Sequence, residues 1–382
     1  MKQLLHLRFT IYDLLFGDIA RAIPCGSSKH NGMRTQRVTA RVRSYILLTV
    51  CYFNLFLLSS CIREDISGNS PKSNFESLWK IIDEQYCFLD YKHDEYGLDW
   101  DEVHTTYANR ITNDMTDEQL FEVLSEMLDE LRDGHVNLSS AYGTSQYRDW
   151  FTAYPTNFSD SIQSIYLGND YVISSGITWQ ILENNIGYIY VESFSTSIGD
   201  GNLSAAFLAM ALCDGIIIDV RSNGGGELTT ARQLASRFTD EKVLVGYISH
   251  KTGTGHSDFS DPTAIYVEPA DGVRWQKQAA VLTNRRSYSA TNDFVNAMMQ
   301  FPNVTIVGDK TGGGSGLPFT SELPNGWGIR FSASPMFDPD MNHLEFGIEP
   351  DVKVDMNSCD MMRGKDTIIE TACEILQNNL SD

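Results

Sequence analysis

Basic residues are scarce in this 382-residue chain. It carries 29 Lys and Arg against 50 Asp and Glu, a net charge of −21. So acidic a surface is unsuited to phosphate backbones, which excludes nucleic acid as the expected partner. Cysteine is sparse and unpatterned. None of the seven sits in a Cys-x-x-Cys, which argues against a zinc framework or a disulfide scaffold. No His-Glu-x-x-His occurs, and His250 and His256 lack ligand spacing, so no metal is expected. The glycine runs spell neither Gly-x-x-x-x-Gly-Lys-Ser/Thr nor Gly-x-Gly-x-x-Gly, so no nucleotide cofactor is called for. No apolar run reaches the roughly 20 residues of a comfortable bilayer span. What is present is an ordinary globular mixture, 42% hydrophobic and 11% aromatic, long enough for two domains.

The few basic groups are concentrated early. Residues 1–60 hold eight of them and only two acids, which reads as an address rather than a fold. Arg41 and Arg43 precede a 14-residue apolar run, Tyr45 to Leu58, of the length of a signal-peptide h-region. Leu58-Ser59-Ser60-Cys61 follows and resembles the lipobox of bacterial lipoproteins. That resemblance implies cleavage before Cys61, lipid on its sulfur, and a lipid anchor to a bacterial membrane in the cell envelope. Met33 stands just before the basic run and fits a start; residues 1–32 have no place in such a leader. Beyond it, Cys87, Cys213, Cys359 and Cys373 remain, with a Cys359–Cys373 pair left open.

The chain then divides by pattern. Residues 1–60 are leader and signal peptide. Residues 61–72, polar with Gly and Pro, form a tether. Residues 73–134 read as a small helical domain. A capping box at Ser73-x-x-Glu76 opens one helix, Trp100 to Ile111 forms a second, and Thr116-x-x-Gln119 opens a third. Residues 135–185 are a mixed connecting segment with strand-like pieces at Ser164–Tyr166, Tyr171–Ser174 and Trp179–Ile181. Residues 186–382 alternate strand and helix. Strands are expected at Gly187–Val191, Gly215–Val220, Val243–Ile248, Ala279–Thr283 and Val304–Val307. Helices are expected at Leu203–Leu212, Leu228–Phe238, Asn292–Gln300 and Asp366–Asn378. Buried runs such as Ile216-Ile-Ile-Asp219 between helices indicate an α/β domain.

Chemistry-bearing residues cluster at the joints of this pattern. Asp219-Val-Arg-Ser-Asn-Gly-Gly-Gly226 turns a buried strand into a helix and exposes bare N–H groups, suited to an anion or oxyanion; alone it is also a plain tight turn. In Asn284-Arg-Arg-Ser-Tyr-Ser289-Ala-Thr-Asn a strand runs into a helix, placing a serine hydroxyl at the positive end of the helix dipole. Taken alone, Ser289 is better read as an N-cap. Leu131-Arg-Asp-Gly-His135-Val places a histidine after an Asp-Gly turn. A flexible loop, Gly308-Asp-Lys-Thr-Gly-Gly-Gly-Ser, and the segment His343-Leu-Glu345-Phe-Gly-Ile-Glu-Pro-Asp351 complete the set.

In this order and spacing, from about Phe75 to Val354, the motifs resemble those of the tail-specific (C-terminal processing) protease family, whose core is shared with tricorn protease. The resemblance implies an α/β fold with a crotonase-like ββα core behind a small N-terminal helical bundle. It implies a serine peptidase acting on peptide or protein substrates through an acyl-enzyme. Ser289, the second serine of a Ser-x-Ser-Ala junction, would be the nucleophile. The N–H groups of Ala290 and of Gly225 or Gly226 would form the oxyanion hole. Where many members carry a catalytic lysine, this chain has Gly314, and the nearest lysine is Lys310. It therefore looks like the tricorn-like branch, with His135 as base and Glu345 as its orienter, Glu349 being the fallback. Activity should then fall with an apparent pKa near that of an imidazole. The 50 residues of 136–185 are about half of what a PDZ domain occupies, and no Gly-Leu-Gly-like carboxylate-binding loop is visible. Two other classes share such a scaffold, acyl-CoA enzymes and catalytically weak binding proteins. The lipobox opposes the first; the retained serine, histidine and glycines oppose the second.

Overall fold

The computed structural model describes residues 68–378. The leader, the apolar run and Cys61 lie outside the described residues, and so does most of the tether. The first helix, α1 (Pro71–Gln85), begins earlier than the capping box at Ser73 suggests. Ser70 is its N-cap, accepting from the Ser73 N–H, and Pro71 takes the first helical position, where a missing N–H costs nothing. It is followed by α2 (Leu89–Tyr96), α3 (Trp100–Ala108) and α4 (Asp117–Asp129). α4 is opened by the Thr116–Gln119 capping box with both reciprocal bonds formed. α2 was not read from the sequence: LDYKHDEY has no apolar stripe, and Gly97 in the left-handed region closes it.

The chain continues through β1 (Asn137–Ser140), β2 (Gly143–Thr144), α5 (Asp149–Thr152), α6 (Asp160–Leu167), β3 (Val172–Ser174), β4 (Ile177–Ile181) and β5 (Ile186–Tyr190). The strand expected at Ser164–Tyr166 is part of α6, since a short apolar run does not by itself separate helix from strand. Next come α7 (Asp200–Ala209), β6 (Gly215–Asp219), α8 (Leu228–Ala235), β7 (Val243–Ile248), β8 (Thr263–Val267), β9 (Ala279–Thr283), α9 (Ala290–Met298) and β10 (Val304–Gly308). The last elements are β11 (Gly316–Glu322), β12 (Gly328–Phe337), β13 (Val352–Lys353), α10 (Ser358–Met361) and α11 (Thr367–Asn378). β11 and β12 form a hairpin that the sequence reading passed over.

Two sheets result. A seven-stranded sheet runs β13-β10-β9-β6-β5-β4-β3, parallel from β13 to β5 and antiparallel beyond. Its central strands β6 and β9 are buried at every position, as expected of a sheet covered on both faces. One face packs α7, α8 and α9 through Phe207, Leu234 and Phe294. The other packs α6 and α11 through Leu167, Ile369 and Leu376. The second sheet, β2-β1-β12-β7-β8 with β11 on β12, is antiparallel. Its β12 shares a core with α1 to α4, where Phe75, Leu78, Ile82 and Leu124 meet Ile329 and Phe331. Burial of one such side chain contributes about 1.5–3 kcal/mol. The helices of 73–134 are thus bonded into the β architecture. Residues 136–185 likewise contribute strands to both sheets.

Cys87, Cys213, Cys359 and Cys373 are all free thiols, so Cys359 and Cys373 do not pair. No helix among the described residues is long and apolar enough to cross a membrane.

Candidate active site

Open parallel sheets place ligands beyond the carboxyl ends of their strands. Here β6 ends at Asp219 and β9 at Thr283, and the two expected turns, 220–226 and 284–289, leave from those ends side by side. Buried asparagines tie them together. Asn223 donates to the Val191 carbonyl, accepts from Gly225 N–H at 2.9 Å, and offers its own carbonyl to Tyr288 N–H. Asn284 accepts from Ser222 N–H at 2.9 Å. Ser287, the first serine of the junction, donates to the Val220 carbonyl. Below, Arg221 is wholly buried between Asp219 and Asp366, at 2.6 and 2.9 Å. This charged pair is therefore a brace beneath the loop.

Ser289 stands at the N-cap position of α9, yet its side chain makes no capping bond. Its φ of 61° and ψ of −122° lie where L-residues are rare, and such strain is held by the surroundings. Ser289 N–H donates to the Gly313 carbonyl and Tyr288 N–H to that of Asn223. The strand–turn–helix elbow therefore aims Oγ outward, and it lies 2.9 Å from His135 Nε2. The structure brings together Ser289 and His135, 154 residues apart in sequence.

The oxyanion candidates separate. Gly225 N–H is committed to Asn223. Gly226 forms a parallel bridge with Phe194, through Phe194 N–H to the Gly225 carbonyl and Glu227 N–H to the Phe194 carbonyl. In that pattern the N–H of Gly226 itself faces away from its partner. Only glycine fits there: at φ 138°, a Cβ would fall 2.1 Å from Ser195 N. Ala290 opens α9, so its N–H has no intrahelical acceptor. Ala290 and Gly226 thus remain as donors of the expected pair. Both line, with Ser289, a cavity of about 330 Å³ whose other walls include Leu228, Leu317, Met336 and Leu344.

His135 lies in a buried charged cluster. Its backbone N–H donates to Asp133 Oδ1 at 2.7 Å, while Tyr86 and Ser332 hydroxyls donate to Oδ2. The ring meets Tyr288 edge-on at 4.9 Å, and Tyr288 stacks on Trp150 at 4.1 Å. Burial lowers the His135 pKa to about 4, with Asp133 opposing and Arg330 and Lys92 assisting. An apparent pKa near 6.5, expected from an unperturbed imidazole, is therefore displaced downward. Burial pushes Asp133 upward, but Lys92, His135 and its hydrogen bonds outweigh this and hold it below the usual range. Burial raises Glu345 to about 8, with Asp133 adding and Lys92 and the Ser315 N–H opposing.

Glu345 is not where a direct orienter would be. Its Oε1 meets Lys92 Nζ at 3.2 Å and its Oε2 accepts from Ser315 N–H at 3.1 Å. His135 Nδ1 has no hydrogen-bond partner, and the nearby Gly316 carbonyl favours the protonated ring. The fallback, Glu349, pairs with Lys310 at 3.1 Å and is largely exposed. Gly314, at the family's lysine position, has φ 74°, and a Cβ there would fall 2.3 Å from the Tyr288 ring. A lysine there would have to displace the buried Tyr288 ring at a strained φ. The sequence reading missed Lys92, Asn223, Asn284 and Tyr288 as supports. Asp133 was visible in the Asp-Gly-His motif, though only as a turn residue. Among the described residues no group of three or more His, Cys, Asp or Glu could hold a metal ion.

A serine hydroxyl at a strained strand–helix elbow, bonded to a buried imidazole beside two uncommitted N–H groups, has the geometry by which serine–histidine hydrolases are recognised. Comparison with known proteins narrows the class. The Peptidase family S41 model matches residues 185–354, and the Tricorn protease C1 domain model matches residues 68–129. A crystal structure from Parabacteroides merdae ATCC 43184, provisionally assigned as a peptidase, is 49% identical with a TM-score of 0.78, covering 81% of this chain and 97% of that one. The "Probable CtpA-like serine protease" of Staphylococcus epidermidis is 26% identical over 176 residues, 45% of this chain and 34% of its own length. The chain thus spans roughly a third of the length of the curated relatives it matches. Mature CPAF complexed with lactacystin shares the fold at 11% identity, with a TM-score of 0.62 over 81% of this chain and 99% of that one. The chain belongs to peptidase family S41, a family of serine-type peptidases.

Proposed function

We propose that this protein hydrolyses peptide bonds in polypeptides through an acyl-enzyme at Ser289, on a crotonase-like core preceded by an N-terminal helical bundle. The observation that carries the reading is the 2.9 Å contact between Ser289 Oγ and His135 Nε2. In the reaction His135 Nε2 takes the hydroxyl proton as Oγ attacks the peptide carbonyl carbon. The oxyanion is held by Ala290 and Gly226 N–H groups, whose worth is largest in a water-poor site. Collapse breaks the C–N bond, and the amine leaves with the proton from His135. Water, activated by the same imidazole, then releases the acyl group and restores Ser289. A neutral His135 is what the first step requires, and its low pKa keeps it neutral throughout the physiological range.

The mature protein begins at a lipidated Cys61 and is tethered in a bacterial cell envelope. The basic run, the apolar segment and Leu-Ser-Ser-Cys support this. Mass spectrometry of the N-terminus tests it, and an unmodified N-terminus elsewhere ends it. Incubation with a peptide mixture, with Ser289→Ala as control, tests the activity. Fragments formed equally by both would overturn the Ser289 mechanism. No turnover by wild type would leave the binding-protein reading.

A further inference from the structure

A lysine with no exposed surface stands next to the site. Lys92, on α2, is 0% exposed. Its Nζ donates to the Leu131 carbonyl and to Glu345 Oε1, and the rings of Tyr86, Phe88 and Phe346 surround it at 5.4–5.9 Å. Lysines are almost never buried unless paired, and a buried ion pair is weak evidence of stability, since apolar residues of like volume often serve better. The other oxygen of Glu345 holds Ser315 N–H, and the Ser315 carbonyl accepts from Met336 N–H. Ser315 is therefore clamped from both sides. The Leu131 carbonyl that shares the ammonium opens the Leu131–His135 turn, in which Asp133 Oδ1 accepts from the His135 backbone N–H.

Building on the peptidase reading above, we propose that Lys92 is a positioning residue. It ties the Glu345 carboxyl group, seated on Ser315 N–H, to the Leu131 carbonyl, and so sets the turn that carries His135 against Ser289. Glu345 thus acts on the imidazole through the backbone and not by a direct hydrogen bond. The helical segment becomes part of the catalytic apparatus, because α2 supplies the cation. Asp133 and Arg330 also face the ring, whereas Tyr86, Tyr288 and Cys87 all have raised pKa values and stay neutral.

The test measures kcat, KM and the pH profile of wild type, Lys92→Met, Glu345→Gln and the double variant, with Ser289→Ala alongside. Lys92→Met should lower kcat about 10²-fold, the scale of a misplacement of about 1 Å, with KM changed less than about threefold, the pattern of a lost transition-state interaction. Its acid limb should move to higher pH, because a cation near the ring is gone, while the loss of kcat at nearly constant KM in a folded variant is what a merely structural lysine would not produce. The double variant should be no worse than the more impaired single one, since both act through one bond. If Lys92→Met does not fold, the near-isosteric Glu345→Gln carries the test, and a folded Glu345→Gln with wild-type kcat overturns the proposal. Wild-type kcat and acid limb in Lys92→Met, beside an inactive Ser289→Ala, overturn it while leaving the peptidase reading intact. An active Ser289→Ala overturns both.

Discussion

The two halves of the site are made of different materials. The nucleophile half consists of backbone: a strained serine, two glycines, a helix N-terminus, and asparagines that join two turns. The base half consists of buried ionisable side chains, with His135, Asp133, Glu345 and Lys92 all sealed from water. Backbone apparatus is indifferent to pH but intolerant of an added Cβ. A buried charge cluster tolerates small steric change but responds to protonation and to the loss of any one charge.

The largest effect expected is common to both halves. Ser289→Ala and His135→Ala should each reduce kcat by about 10³-fold or more, and the double variant should be little worse than either, because the pair acts as a unit. Peptide turnover by purified variants measures it. Additive losses would separate the two residues.

Gly225→Ala breaks the nucleophile half alone. The new Cβ would fall 2.8 Å from Ser289 Cβ and 2.8 Å from the Tyr288 carbonyl, at a φ of 101°. Activity should fall about 10²-fold or more, the cost of a misplaced reacting group. Gly226→Val should lose thermal stability together with activity, since its Cβ meets the backbone of the Phe194–Ser195 segment. Circular dichroism melts distinguish the two outcomes.

Removing the side chain that braces the first turn from within should have a milder effect. Asn223→Ala leaves Gly225 N–H and the Val191 carbonyl unpaired in the interior, at about 1–3 kcal/mol for each buried group. A denaturant midpoint lowered without a change in slope would show it. An unchanged midpoint would mean that the first turn holds without this side chain.

The base half should reveal itself through pH. His135 is held at about 4, against 6.5 unperturbed. Activity requires the neutral ring, so kcat/KM should persist below pH 6 and fall as pH drops through about 4. The same depression contributes stability that is present above about pH 6.5 and lost as pH falls toward 4. Glu345 has the opposite sign. Raised from 4.5 to about 8, it contributes stability below about pH 4.5 that is lost as pH rises through 8. Stability measured from pH 4 to 9 should therefore decline at both ends, and His135→Gln should remove part of the acid decline. An acid limb near 6.5 would show that the ring is more hydrated than its burial implies.

Lys310→Ala should have the smallest effect. The lysine pairs with a largely exposed Glu349, and exposed pairs are typically worth 0–1 kcal/mol. Loss of activity in this variant would bring back the Ser-Lys dyad that Gly314 and the Tyr288 ring argue against.

Much of the α/β framework was legible because buried strands announce themselves. Ile216-Ile-Ile-Asp219 and Ala279–Thr283 are apolar runs of strand length bounded by turns, and β7 and β9 fall at the expected residues. Helix ends shifted by a few residues, as frayed ends do. The β11–β12 hairpin was missed although its signals were present: Asn325-Gly326 lies between two stretches, and Gly328–Phe337 contains a buried alternation at Ile329 and Phe331. α2 had no such signal. Its residues are polar, and it is held by neighbours that no local pattern names.

The amino-acid sequence by itself determined the joints where chemistry can sit. Strand ends, glycines and a serine before a helix are local features, set by backbone sterics and by which residues tolerate a turn. The resemblance of its motifs to a known family singled out Ser289 and His135 as the residues to compare. Only the tertiary structure decided which N–H groups stay uncommitted, that Gly225 is spent on Asn223, and that Glu345 grips Ser315 and Lys92 instead of the imidazole. It also decided the charge states. A pKa of about 4 for His135 and about 8 for Glu345 arises from desolvation and from charges brought in by distant segments, and neither burial nor distance is written in the order of the residues.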